Sequence, residues 1–125
     1  METESAVKAL AALRVVIGVG AWVAPRLAGR SFGLHPGANP QAPYLGRLFG
    51  ARDVALGVGT MQATGEARRQ WLQIGVAVDA AEALAAVAAG RAGYLPPVVA
   101  GMVFVPAVAA AALGAVALRG NGPPG

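Results

Sequence analysis

Five ionisable residues lie near the midpoints of long apolar runs: Arg14 in the first run, Arg52 and Asp53 in the second, Asp79 and Glu82 in the third. Two carboxylates one helical turn apart, a third acid and two guanidinium groups together supply a proton donor, a proton acceptor and fixed positive charge. That set suits acid–base chemistry on an apolar substrate, such as cyclisation or isomerisation, with Asp53, Asp79 and Glu82 as candidate catalytic groups. It equally suits a site where Arg14, Arg52, Asp53, Asp79 and Glu82 hold a small polar or cationic ligand, or a proton. The competing reading is an ion-pair network that only fixes helix register, as in a structural accessory subunit of a membrane complex.

Charge counting sharpens this. Two arginines face three acids, so the cluster carries one surplus negative charge. In a poorly solvated site that surplus is costly, and either one acid holds a proton or a cation binds. Asp79 and Glu82, one turn apart, are the expected holders of that proton.

The elements that must position these groups are membrane helices. The chain has 125 residues, 56% hydrophobic and 13% charged, with mean hydropathy +0.56. A soluble domain carries about 25% charged residues. Apolar spans are expected at about 6–24, 45–63, 70–89 and 94–118, with a connection over 25–44 that is long for a simple loop and has room for a short interfacial helix. Each is near the ~20 residues that cross ~30 Å of hydrocarbon. The expected fold is therefore all-α, a single four-helix transmembrane domain with antiparallel up-down topology, in the plasma membrane of a bacterium. The last span carries no charge from Pro97 to Leu118, so it has no polar face for water. Pro96 and Pro97 suit its first turn, and Pro106 is expected to kink it.

Helical arithmetic puts the charges on common faces. Positions i, i+4, i+7 and i+11 share one side of a helix. The stripes read Val7, Ala11, Arg14, Gly18, Ala21, Pro25; then Gly46, Gly50, Asp53, Gly57 and Thr60 or Thr64; then Gly75, Asp79, Glu82, Ala86. Small residues let helices approach closely in lipid, which would bring the charges together. Arg14, Asp53 and Asp79 also fall about eight to ten residues into their spans, at one depth. Arg52, turned about 100° from Asp53, reaches the edge of the cluster. Trp22, Trp71 and Tyr94 at span ends are expected interfacial anchors.

Other functions are excluded or disfavoured. The chain has no cysteine and one histidine, His35, so no disulfide and no conventional zinc site is expected. No cofactor is called for. The net charge of +4 is scattered rather than clustered on a polar face, which argues against nucleic acid. His35 is read as a surface residue of the 25–44 loop. The acidic start Met-Glu-Thr-Glu and the Ala24–Pro25 junction favour a retained first helix over a cleaved signal. Basic residues are nearly balanced between the two sides, with Lys8, Arg68, Arg69 and Arg119 opposing Arg26, Arg30, Arg91 and Arg47. This weakens the usual orientation signal and leaves room for an antiparallel homodimer. A cytoplasmic N-terminus is the reading adopted.

The run Gly50-Ala-Arg-Asp-Val-Ala-Leu-Gly57, with Val78-Asp79-Ala80-Ala81-Glu82 further on, resembles a family of small four-span membrane proteins common in actinobacteria. That likeness implies an Arg-Asp pair in the second span and an acid in the third, at Arg52, Asp53 and Asp79. It implies no activity. The chain is also similar in size to small multidrug-resistance transporters, but Arg14 stands where their first-span glutamate would be. Dual-topology fluoride channels are similar in size too, but their Asn- and Phe-containing pore motifs are missing.

Overall fold

The computed structural model describes residues 3–31 and 37–120, and all of its regular structure is helical. Helix α1 spans Thr3–Val23, α2 Pro25–Ser31, α3 Ala42–Gln62, α4 Gly65–Ala92 and α5 Pro97–Gly120. Three of these, α1, α4 and α5, are long and apolar enough to cross a membrane. Helix α3 matches α1 in length, but its arginines and glycines lower its hydropathy.

The helix ends correct the sequence-based boundaries. The 25–44 connection contains α2, and α3 begins within it at Ala42. Pro25 turns the chain without ending helical hydrogen bonding: Ala24 N–H still donates to Gly20 O, and Ala28 N–H to Ala24 O. Proline is tolerated there because a first-turn N–H has no intrahelical partner to lose. Helix α4 starts five residues earlier than the apolar run, because backbone bonding continues through polar residues that hydropathy discounts. It ends at Gly93, whose φ of +84° is the left-handed geometry of a glycine cap. Helix α5 starts at Pro97 and continues through Pro106 as one element. His35 lies outside the described residues.

The long helices form a ring of contacts. Helix α1 packs most closely on α3 and α4 on α5, while α1 also meets α5 and α3 meets α4. Among the described residues, α1 and α4 make no close backbone approach, and neither do α3 and α5. Those two pairs sit across the diagonals. The α1–α3 seam is very tight: a Cβ on Gly18 would stand 2.6 Å from Gly50 O, and one on Gly50 2.5 Å from Gly18 O. Only glycine permits that crossing, as small-residue helix seams in lipid require.

The polarity of the molecule is inverted relative to a water-soluble protein. Its interior is mostly Ala and Gly with ionic groups, and Leu72 and Val7 are its largest fully buried side chains. Its exterior carries Val16, Val23, Leu27, Leu84, Val98 and Val105, each more than 60% exposed. Exposed aliphatic side chains on this scale suit contact with lipid. Helix α5 is the extreme case, with 11% of its apolar window buried.

Candidate functional site

Arg14 reaches across the α1–α4 diagonal. Its Nη1 donates to Asp79 Oδ1 at 3.2 Å and its Nη2 to Asp79 Oδ2 at 2.5 Å. This bidentate geometry is the strongest arginine–carboxylate arrangement. Gly75, one turn before Asp79, leaves room for it, since a Cβ there would lie 3.0 Å from Arg14 Nη2. Asp53 completes the inner group from α3, with its Oδ1 3.9 Å from Arg14 Nη1. Arg14, Asp53 and Asp79 are all buried, each at 5% exposure or less.

A second arginine closes the cluster from outside. Arg52 Nη2 donates to Asp53 Oδ1 at 3.0 Å and also pairs with Glu82 Oε1. The Arg52 and Glu82 side chains are 32% and 27% exposed, so this pair forms the rim. Phe49 lies one turn earlier on α3, with the Arg52 guanidinium 4.6 Å from its ring centroid, a cation–π distance.

The five residues singled out from sequence thus come together. Their connectivity follows one chain, Asp79–Arg14–Asp53–Arg52–Glu82. Every acid in it already faces an arginine. Two details differ from the stripe arithmetic. The buried face of α4 runs Leu72, Gly75, Asp79, Ala83, Ala86, so Ala83 takes the inward position and Glu82 is turned to the edge. Gly46 packs against Pro25 rather than on the α1 seam, which belongs to Gly50 and Gly57. The anchors also diverge. Tyr94 is 83% exposed, and Trp22 is half exposed beneath Arg47. Trp71 instead covers Gly59, where a Cβ would meet its ring at 2.6 Å.

A cavity of about 470 Å³ opens onto Arg14, Asp53, Asp79 and Glu82. This is within the ~300–1,000 Å³ usual for small-molecule sites. Its remaining walls are apolar. Along α4 it extends from Asp79 to Ala89, and along α3 from Asp53 back to Ala42. Ten or eleven residues at ~1.5 Å each make it roughly 15 Å deep. The ionic cluster forms its floor; Ala28 and Gly29 of α2, with Leu95, line the far end. Below the floor, Ala6, Val7, Leu10, Leu72 and Ala117 pack into a dry cluster. The cavity is blind on that side.

Phe49, Leu95, Pro106 and Ala107 line the cavity as well, beyond the residues that charge and spacing single out. Phe49 had a signal, its i, i+3 spacing from Arg52 on one helix. The others are apolar residues in apolar runs, which no local pattern separates from lipid-facing neighbours. Among the described residues, no group of three or more His, Cys, Asp or Glu has the arrangement of a metal site. No family model matches the chain, and no curated protein or solved structure matches it. The functional reading therefore rests on the site itself.

Proposed function

We propose that this chain is a plasma-membrane protein whose hollow interior binds a small cationic ligand or a proton at the Arg14–Asp53–Asp79–Glu82 floor. In this reading α3 joins α1, α4 and α5 as a fourth span, and the chain passes up and down through the bilayer. The glycine seam shields α3, and its Asp53 is neutralised from inside. Membrane lipid covers the apolar exterior.

One observation carries the reading: an apolar, blind cavity of ligand size ends on a cluster with two positive and three negative side chains. A cluster meant only to hold helices together would gain nothing from an adjoining void. The surplus negative charge calls for a proton or a cation, and the low-dielectric walls strengthen its pull. A blind pocket favours release to one side, or laterally into lipid, over a straight conducting pore.

The test is thermal unfolding of the purified protein in detergent micelles, with a panel of small organic cations at pH 6–8. A ligand that binds the folded state raises the midpoint. That rise should vanish in Ala107→Phe, which fills the cavity. A wild type that responds to no cation and to no change of pH would overturn the reading. Span number is tested separately. Because the chain has no cysteine, single cysteines at Gln41 and Thr64, which flank α3, report sidedness without background, and labelling from opposite sides is expected.

A further inference from the structure

Within that reading, the chemistry of the cavity narrows the ligand and singles out one acid. We infer that the cavity takes a hydrophobic monovalent cation, an amine or onium group on an apolar body, and that Glu82 is the carboxylate that receives it in exchange for a proton.

The walls decide the ligand class. Apart from the four ionic residues, the lining holds aliphatic side chains, glycines, one proline and the Phe49 ring. No hydroxyl or amide side chain is present to hydrogen-bond a sugar, a peptide or a polar head group. Both arginines are engaged with carboxylates, so no guanidinium is left to attract an anion. A molecule that fits these walls is apolar over most of its surface, and the surplus negative charge of the cluster is met by one positive charge.

The pairing decides the residue. Arg14 is committed to Asp79 through two hydrogen bonds, with both side chains nearly fully buried. Arg52 is shared between Asp53 and Glu82. If Arg52 stays with Asp53 at 3.0 Å, two neutral pairs remain and Glu82 is the surplus acid. Glu82 is also the most exposed of the three acids, and it lines the cavity. It can give up its share of Arg52 without orphaning that arginine, whereas Asp79 cannot leave Arg14 without stranding a buried charge.

The groups that bear on Glu82 are Arg52 and Asp53 from α3, Arg14 from α1 and Asp79 on its own helix. Helix α5 contributes Val103, Pro106, Ala107 and Ala110 to the cavity, with no titratable side chain. The exchange is balanced: protonated Glu82 releases its proton to water, and the carboxylate pairs with the incoming cation. Proton and cation are mutually exclusive, so affinity should rise with pH by up to roughly tenfold per unit where Glu82 titrates.

The experiment is calorimetric titration of tetraphenylphosphonium and of benzyltrimethylammonium into micellar protein at pH 6, 7 and 8. Wild type should bind more tightly as pH rises and release protons on binding. Glu82→Gln should bind at least tenfold more weakly, with no pH dependence, and Glu82→Asp should keep the pH dependence. Proton release by wild type supports exchange even if Glu82→Gln fails to fold. Wild-type binding without proton release or pH dependence overturns the exchange. Unchanged, pH-dependent binding by Glu82→Gln overturns the assignment of Glu82 and leaves the cation reading standing. A folded wild type that binds neither probe overturns the ligand class; if it also fails the broader cation and pH screen, the proposed function falls with it.

Discussion

The two halves of this helical assembly are built from the same residue types but packed in opposite ways. On one side of the ionic cluster, Val7, Leu10, Leu72 and Ala117 close into a dry core, and Gly57 and Gly114 admit side chains from neighbouring helices. A Cβ on Gly57 would stand 2.7 Å from a Val15 methyl, and one on Gly114 2.6 Å from a Val76 methyl. On the other side, Ala85, Ala86 and Ala89 of α4 and Ala107 of α5 line the cavity. Small residues permit either outcome. Where a partner helix comes close they make a seam, and where it stays back they make a wall. The charges sit at the boundary, held by the packed half and presented to the hollow one.

The strongest way to break this contrast is at the boundary itself. Asp79→Asn leaves Arg14 buried opposite a neutral amide, and its expected cost is about 3–5 kcal/mol, as for other broken buried ion pairs. Unfolding in micelles, followed by circular dichroism, measures it. Replacing both Arg14 and Asp79 by leucine should recover most of that loss, because no buried charge is then stranded. A double variant as unstable as the single one would mean the pair does more than neutralise itself.

A pair of matched enlargements sharpens the comparison of the halves. Gly114→Leu drives a side chain into Val76 and should cost roughly 1–3 kcal/mol as overpacking. Ala86→Leu adds similar bulk facing the cavity and should change stability by less than about 1 kcal/mol. Equal losses would show that the hollow half is as tightly packed in solution as the dry half. The smallest effect is expected far from the boundary. Glu4, more than half exposed, pairs with Arg68 at 3.0 Å, and Glu4→Gln should shift stability by under ~0.5 kcal/mol because solvent screens the pair. A larger shift would place the N-terminal end of α1 in a drier setting than its exposure indicates.

How much of this was legible beforehand varies by element. The inward faces of α1 and α3 were readable, because Arg14, Gly18 and Ala21, like Gly50, Asp53 and Gly57, follow a stripe with no competing face. The face of α4 was less so. Glu82 and Ala83 flank the axis through Asp79 from opposite sides, about 60° and 40° away, and periodicity alone does not choose between them. The packing of α4 on α5 and α3 turns Ala83 inward and leaves Glu82 at the rim. Helix α2 is the short helix that the long 25–44 connection had room for, but at seven residues it carries too little periodicity to mark its bounds.

By itself, the sequence determined the helices, their apolar exteriors and the meeting of Arg14, Asp53 and Asp79, since each follows from composition and a 3.6-residue period that every residue carries locally. Which acid Arg52 shares, which small residues form seams, and that a cavity exists above the charges were decided by tertiary structure. Those features depend on the distance between helix axes. That distance is set by the sum of all contacts along a seam, and no single stretch of chain encodes it.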